Sequence, residues 1–193
     1  MPPFPHRAAH VFMACAALSL TPAAATSAAP PSGNEVMANL IVPRLDAPGV
    51  AGSLTGARRE IIASLPAVGR ADIAAALKKA AANGTRVFLI SRESSARGSG
   101  YLLNVSHGPP SLLTYLKSIP TGTPFILVDG SWAAVGQGLD QEGGGAISLV
   151  KDAGTLKNLT VWATRITRAG PTARVDIVRL RFPRQATPPR PAR

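Results

Sequence analysis

The chain has 193 residues and carries 21 lysines and arginines against 10 aspartates and glutamates, which gives a formal net charge of +11. This length suits one ordinary domain, and the single cysteine, Cys15, excludes internal disulfides and zinc sites built from thiolates. Two of the three histidines lie within the first ten residues, and the third is His107. Because histidines and acidic residues are scarce, we predict no metal site and no cofactor.

Residues 1–29 have the pattern of a secretory signal peptide. Arg7 is the only charged residue before Glu35, the apolar stretch HVFMACAALSL follows it, and small residues near Ala28 offer cleavage sites. That stretch is shorter than the roughly 20 residues of a transmembrane helix, and we predict no transmembrane segment after signal removal. Cys15 suggests a lipoprotein, but the apolar run continues beyond it. The Ala-, Gly-, Pro- and Arg-rich composition is typical of high-GC bacteria, so we predict a periplasmic or secreted protein.

The first ordered elements follow a β-α-β order. Residues 30–58 are punctuated by proline and glycine, and we expect a loosely ordered N-terminal arm or a short strand there. EIIASLPAV (60–68) predicts a buried strand, and Asp72 is a good N-cap for the helix IAAALKKAAAN, which Asn83-Gly84 would end. RVFLI (86–90) predicts a second buried strand. This order implies a parallel strand pair with a right-handed crossover.

The middle of the chain carries a polar loop at 91–100 and the segment SLLTYLKS (111–118), for which we predict a short helix with its leucines inward. FILV (125–128) predicts a third strand. Asp129-Gly130 then predicts a tight turn, because glycine tolerates the positive φ that hairpin turns need. AISLV (146–150) follows three glycines and predicts another strand.

The C-terminal part begins with a helix that Asp152 would cap and whose apolar residues recur at helical spacing as far as Ile166. RVDIVRLRF (174–182) predicts an edge strand that carries arginines. The proline- and arginine-rich tail, 183–193, predicts disorder. We expect Trp132 and Trp162 to lie in the core, since both stand in apolar patterns.

The segment TPFILVDGSWAAVGQG (123–138) resembles the motif of the phospholipase D-like phosphodiesterases, H-x-K-x4-D-x6-G-S-x-N, with Asp129 and Gly136 at the required spacing. The order of predicted elements over roughly 60–167 also resembles one half of such an enzyme. The resemblance implies an α/β domain over 59–182, with a mixed, mostly parallel sheet flanked by helices. The usual N-terminal helix of the family is poorly matched here.

The residues that perform catalysis in the family are replaced. Its histidine, lysine, serine and asparagine positions hold Gly122, Pro124, Gln137 and Leu139. In the family a histidine attacks phosphorus, a second histidine protonates the leaving oxygen, and lysine and asparagine hold the phosphate oxygens. Glycine cannot attack, proline has no charge and no N–H, and leucine cannot donate. We therefore predict no catalytic residue, with Asp129 and Gly136 as motif remnants and His107 as a solvated loop residue.

The arginines indicate where an anionic ligand would bind. Eight arginines and one acid, Asp176, lie from Arg165 onward and supply +7 of the net charge. Two more arginines follow a predicted parallel strand, at the position where open α/β sheets bind ligands. The candidate anion-binding residues are Arg92, Arg97, Arg165, Arg168, Arg174, Arg179, Arg181 and Arg184.

The sequence thus favours a non-catalytic binding or structural protein over an enzyme. One alternative is an active periplasmic phosphodiesterase or nuclease of the phospholipase D-like family. Another is a peripheral envelope protein that docks on anionic lipid. Non-specific nucleic acid and anionic lipid are the candidate partners of the basic C-terminal region. The resemblance also implies a homodimer, because single-motif members of the family build one site from two subunits.

Overall fold

Seven strands form one mixed sheet in the computed structural model, which describes residues 44–117 and 122–183. The sheet order is β1-β7-β6-β5-β2-β3-β4. The strands are β1 (Arg44–Leu45), β2 (Glu60–Ser64), β3 (Arg86–Arg92), β4 (Leu112–Lys117), β5 (Phe125–Val128), β6 (Trp132–Val135) and β7 (Ile147–Val150). The predicted signal peptide and the tail from residue 184 lie outside the described residues.

The direction of the strands differs from the prediction in one respect. β2 and β3 are parallel, as predicted, and so are β3 and β4. The other four pairings of the described residues are antiparallel. The mixed α/β sheet is therefore confirmed, but the expectation that it is mostly parallel is wrong. Helical crossovers join only β2, β3 and β4, whereas a hairpin turn joins β5 to β6 and so reverses the chain.

Helices cover both faces of the sheet. They are α1 (Ala47–Leu54), α2 (Ala71–Ala82), α3 (Leu102–Ser106), α4 (Ala153–Thr167) and α5 (Arg174–Arg181). Buried residues of α1, α2, α3 and α5, among them Leu77 and Ile177, join one core cluster on one face. On the other face, Leu156 and Ala163 of α4 join a second cluster with Ile62 and Phe125.

Residues 44–58 are more ordered than we expected. The arm that the sequence suggested contains β1 and then α1, which packs Val50 and Leu54 into the core with no exposed surface. The carboxylate of Asp46 caps α1 by accepting the N–H of Gly49 at 2.9 Å. Glycines lower the helix propensity of this segment, so its helix depends on the cap and on burial, neither of which the pattern reveals.

The segment 112–117 is strand β4 and not the predicted helix. It pairs in parallel with β3 from Leu112 to Lys117. A short apolar run that is buried on both faces cannot be told from a helix by periodicity alone. The helix of this region is α3, which lies earlier in the chain.

Residues 174–181 form helix α5, so the predicted edge strand is wrong. Ile177 is fully buried and Leu180 packs beside it in the core, which is the i, i+3 spacing of a helix. The edge of the sheet is covered instead by Thr172. Its N–H donates to the carbonyl of Thr114 at 2.7 Å, and its hydroxyl accepts the N–H of Leu116 at 3.0 Å.

Helix ends agree with the sequence at two of three predicted positions. Asp152 caps α4 by accepting the N–H of Thr155 at 2.7 Å, and α2 ends at Asn83. The predicted N-cap at Asp72 is wrong, because α2 begins earlier and its N-cap is Arg70. The Asp72 carboxylate accepts both Nε and Nη2 of Arg70, at 3.0 and 2.6 Å.

Candidate functional site: the β5–β6 hairpin

The motif segment forms the β5–β6 hairpin, which pairs with β2 along one side. We call the turn at 129–131 the turn end; it lies where β2 and β3 begin, because Ile61 is opposite Val128. The open end comprises Gly122 and Pro124, residues 136–140, and the residues at and after the carboxyl ends of β2 and β3 (64–70 and 92). The family motif would place its catalytic groups at the open end.

Asp129 is the hydrogen-bond centre of the turn end. Its carboxylate accepts the backbone N–H groups of Arg58, Arg59 and Glu60 at 3.0, 2.8 and 2.9 Å. Its own carbonyl accepts Nη2 of Arg59 at 2.7 Å. Burial alone would raise the pKa of Asp129, but the three N–H donors and the charge of Arg59 outweigh burial and lower that pKa below its usual value. Asp129 therefore fastens the connection between α1 and β2 to the hairpin.

The turn itself needs unusual backbone geometry. Asp129 has a φ of 52° and Gly130 a φ of 67°. The N–H of Ser131 donates to the carbonyl of Val128 at 2.9 Å and closes the turn. Positive φ at two central residues is the geometry that hairpin turns favour, and Asp followed by Gly is a residue pair that tolerates it.

The four catalytic positions lie at the open end without catalytic side chains. Gly122 is exposed, and Pro124 is buried with its carbonyl accepting the N–H of Gly136 at 2.9 Å. Gln137 is exposed, whereas Leu139 has no exposed surface and belongs to the core. The residue at the asparagine position of the motif thus packs in the apolar core and does not line a site open to a ligand.

Gly136 is required by a close approach of two chain segments. Its φ is 147°, and a Cβ built on it would overlap the carbonyl oxygen of Ala146. The motif glycine therefore lets the segment before β7 pack against the end of β6. This requirement is independent of catalysis.

Asp140 is a buried acid that sequence reasoning missed. Only 2% of its surface is exposed. Oδ2 accepts the N–H of Ala67 at 3.3 Å, and the backbone carbonyl accepts the N–H of Gly69 at 2.8 Å, while Oδ1 has no partner among the described residues. Burial raises the pKa of Asp140 above its usual value, and the N–H of Ala67 and the charge of Arg92 only partly oppose that rise. An acid that follows G-Q-G-L in a sequence gives no signal of burial.

Two further buried polar groups belong to the open end, at the carboxyl ends of β3 and β2. The Nε of Arg92 and the Oγ of Ser64 have no hydrogen-bond partner among the described residues. A carboxylic acid with a raised pKa can take up or release a proton. Ser64 is fully buried, however, so a phosphodiester has no access to its hydroxyl. These three groups thus give the open end buried polar atoms but no accessible nucleophile.

His107 lies away from the open end. It is the C-cap of α3, which precedes the first residue of β4, and is therefore at the opposite end of the sheet. Its Nδ1 donates to the carbonyl of Leu103 at 2.8 Å, and its side chain is exposed. His107 makes a local cap and does not approach the motif positions.

Arg97 and Arg181 come together beyond the carboxyl end of β3. Arg97 is in the short 3-10 helix Glu93–Arg97 and forms an exposed ion pair with Glu93 at 3.7 Å. Nη1 of Arg181 donates to the carbonyls of Arg97 and Gly98. Arg181 thus holds the end of α5 against this loop.

Two other arginines of α5 have intramolecular partners as well. Nη2 of Arg174 donates to the carbonyl of Gly108 at 2.6 Å. Arg179 pairs with Asp176 at 3.1 Å, and 74% of its side chain remains exposed. Arg174 is therefore partly used for folding, whereas Arg179 presents its charge to solvent.

Arg165 and Arg168 lie at the C-terminal end of α4, on the opposite face of the sheet from α5. Both are exposed. The structure thus divides the described candidate arginines between two faces, and Arg184 lies outside the described residues.

The two tryptophans pack against the core clusters, as the sequence predicts, and the ring of Trp162 meets Phe125 edge-on with centroids 5.5 Å apart.

Within residues 44–117 and 122–183 there is no group of three or more metal-ligating side chains. The same part of the chain contains no helix that is both long and apolar enough to cross a membrane.

No family sequence model and no curated protein matches this chain. Solved structures do match. NucT from Helicobacter pylori aligns with a TM-score of 0.54 at 14% identity over 64% of this chain and 88% of its own. A phospholipase D family member, Nuc from Salmonella typhimurium, aligns with a TM-score of 0.50 at 15% identity over 61% and 83%. The chain has the phospholipase D-like fold.

A third solved structure that matches this chain belongs to a protein of another description. TrmBL2, an archaeal chromatin protein whose structure shows a novel mode of DNA binding, aligns with a TM-score of 0.50 at 12% identity. The alignment covers 72% of this chain and 59% of TrmBL2, so the chain spans less than two thirds of that protein. At these identities the three likenesses concern the fold, and the fold predicted from the motif and element order is confirmed.

Proposed function

We propose that this chain is an exported phospholipase D-like domain that has lost phosphodiesterase chemistry and binds nucleic acid through exposed arginines. The loss of phosphodiesterase chemistry is supported above all by Leu139, which occupies the asparagine position of the motif and is fully buried in the core. Together with Gly122 and Pro124, it leaves the open end without a nucleophile or a fixed cation at the motif positions.

Phosphoryl transfer needs both kinds of group. The attacking atom must be a base near neutral pH, and the negative charge that develops on the phosphate oxygens needs positioned donors. A nearby side chain could replace one missing catalytic group. His107, the one histidine of the described chain, caps α3 at the other end of the sheet and supplies no replacement.

The second half of the proposal is supported by charge and by fold. The chain carries +11, and arginine presents a planar fork that suits phosphate oxygens. TrmBL2, which shares the fold, is described as binding DNA. Contacts of this type read the phosphate backbone and not the bases, so the binding we propose is independent of sequence and strongly dependent on salt.

Export and self-association belong to the same proposal. The signal-like pattern of residues 1–29 supports delivery to the periplasm or the medium. We also propose a homodimer, since single-motif phospholipase D-like proteins pair to build a site and an interface made by packing survives the loss of catalysis. The mass of the purified protein in solution tests this, and a monomeric mass contradicts it.

Fluorescence anisotropy with labelled duplexes of unrelated sequence tests the nucleic-acid proposal. We expect dissociation constants of about 10⁻⁴ to 10⁻⁶ M near physiological salt, with no preference among sequences. Arg97→Gln/Arg179→Gln removes two exposed charges and leaves Arg174 and Arg181 to hold the backbone. The slope of log affinity against log salt should fall by about 1.8, which is two phosphate contacts.

A matched control removes two charges elsewhere. Lys78→Gln/Lys79→Gln changes α2, which contributes none of the candidate residues, and should leave that slope unchanged. Absence of binding by the unaltered protein at low salt would refute the proposal. Binding to vesicles with anionic lipid, without binding to DNA, would replace it with docking on an envelope membrane.

A further inference from the structure

A basic cleft lies at the turn end, on the side of the sheet that α4 covers. Its volume is about 470 Å³, and its wall includes Gly130 and Ser131 of the hairpin turn and the first two turns of α4. Lys151 and Lys157 both line it and are exposed. None of the arginines that the sequence singled out contributes to this cleft.

Two arginines, Arg58 and Arg59, precede β2 at the turn end, where the chain contacts the residue before the cleft wall. The backbone N–H groups of Arg58 and Arg59 both donate to the Asp129 carboxylate. The guanidinium of Arg59 donates to the carbonyl of Asp129, the residue immediately before Gly130. Asp129 thereby holds the guanidinium of Arg59 beside the hairpin turn, and the next two residues of that turn line the cleft together with Lys151 and Lys157.

The acids at the turn end are engaged in folding. The Asp129 carboxylate is shared among three backbone N–H groups, the Asp152 carboxylate accepts the N–H of Thr155 as the cap of α4, and Glu60 pairs with Arg86 at 3.1 Å. None of Arg58, Arg59, Lys151 and Lys157 forms an ion pair with a described residue. The cleft therefore presents positive charge to solvent.

From this arrangement we infer that the cleft at the turn end, with Lys151 and Lys157 on its wall and Arg59 beside it, binds the phosphodiester backbone of nucleic acid. The inference rests on the proposed function and adds to the exposed arginines a second contact surface that the family motif does not indicate. β2, β3 and the hairpin separate the cleft from the open end, where the motif's catalytic groups would stand. The cleft thus adds a contact surface at the opposite end of the sheet from the motif's catalytic positions, separate from Arg97 and Arg179.

Nucleic acid fits this surface better than a lipid bilayer does. Helices that lie in a membrane interface bury a broad apolar face, whereas Val161 is the one large exposed apolar residue among those that line the cleft. The hydroxyls of Ser131 and Thr160 border the same space. A concave, polar and cationic surface matches a charged strand, which needs several neighbouring positive groups.

The test uses the mature protein and a set of variants that each lose two positive charges. Lys151→Gln/Lys157→Gln removes the two lysines of the cleft, and Lys78→Gln/Lys79→Gln is the control on α2. Affinity for a labelled duplex and for a single strand is measured by anisotropy over a series of salt concentrations. Circular dichroism melts establish that each variant is folded.

We expect Lys151→Gln/Lys157→Gln to weaken binding at low salt and to reduce the salt slope by about 1.8, which corresponds to two phosphate contacts. The control should keep the slope of the unaltered protein. If the cleft variant binds as tightly as the control while Arg97→Gln/Arg179→Gln loses affinity, the inference is wrong and the proposed function stands. If the unaltered protein binds no nucleic acid, the inference and the proposed function both fail. If it binds anionic vesicles instead, and this binding depends on the two lysines, the cleft is a membrane contact.

Discussion

At the turn end of the β5–β6 hairpin, the motif aspartate accepts three backbone N–H groups, whereas at the open end a buried leucine stands where the motif has asparagine. Asp129 and Gly136 keep the family's residue types, and both have a folding role: one fastens a connection and the other permits a close approach. The positions of the histidine, lysine and asparagine hold other residues, of which Pro124 and Leu139 are buried and offer no catalytic group. The difference separates the part of a catalytic motif that builds the hairpin from the part that performs chemistry.

The largest expected effect comes from restoring the motif's asparagine. Leu139→Asn removes a fully buried apolar side chain and places an amide in the core, so it should lower the free energy of unfolding by about 3–5 kcal/mol. Urea denaturation measures the change. Gln137→Asn, on an exposed neighbour, is the control and should stay within about 0.5 kcal/mol. A neutral Leu139→Asn variant would mean that the open end can still house a polar site.

At the turn end, Asp129→Ala should cost about 2–4 kcal/mol, because three N–H groups lose their acceptor and alanine disfavours the positive φ. Asp129→Asn keeps one acceptor oxygen and tolerates that φ, so it should cost less. The pH dependence follows from the lowered pKa of Asp129. A lowered folded-state pKa adds stability above the unfolded value of about 3.9, and that stability is lost as the pH falls through the folded value.

Urea denaturation of the unaltered protein and Asp129→Asn at neutral pH and near pH 3 measures this. The gap between the two proteins should narrow at the lower pH. A difference in stability that stays constant would show that the charge of Asp129 does not strengthen its hydrogen bonds to the three backbone N–H groups.

Gly136→Ala should cost about 2–3 kcal/mol, since the new Cβ meets the Ala146 carbonyl and the backbone φ is unfavourable for alanine. Gly130→Ala is the matched control, because it also has a positive φ but has open space around its Cβ, and it should cost about 1 kcal/mol. Thermal melts of the two variants compare them directly. Equal costs would remove the close approach as the reason for glycine at position 136.

The smallest expected effect concerns Asp140 and has the opposite sign. Its raised pKa means that the folded state disfavours the charged carboxylate, so this contribution to stability is present below the unfolded pKa and is lost as the pH rises through the folded one. Asp140→Asn should therefore raise the melting temperature at pH 7 by about 2–4 °C, the shift that about 1 kcal/mol gives in a domain of this size. The gain should shrink near pH 4. A destabilised variant at pH 7 would show that the attraction to Arg92 outweighs burial.

The sequence predicts much of the fold because local signals and motif spacing agree. Asp152 and its apolar spacing define α4, and Asp129-Gly130 defines the hairpin turn. The failures have tertiary causes. β4 is an apolar run buried on both faces, which has no helical or strand period, and α5 contains β-branched residues whose helix is stabilised by the burial of Ile177.

The candidate site was only partly predictable for similar reasons. Motif spacing identifies Asp129 and Gly136, and the residues that stand at the motif's histidine, lysine and asparagine positions predict that the catalytic groups are absent there. Nothing in the spacing brings Lys151 and Lys157 to the hairpin turn, because their proximity depends on how α4 crosses the sheet. The burial of Asp140 depends equally on the segment 67–69, which lies far away in sequence.

The most direct test of the central claim is the phosphodiesterase activity of the purified mature protein. The assay uses bis-p-nitrophenyl phosphate and plasmid DNA with EDTA present, beside the variant His107→Ala. The account predicts no turnover by either protein, because the open end holds no nucleophile at the motif positions. Turnover that His107→Ala abolishes would contradict it and would show that this histidine rebuilds the site.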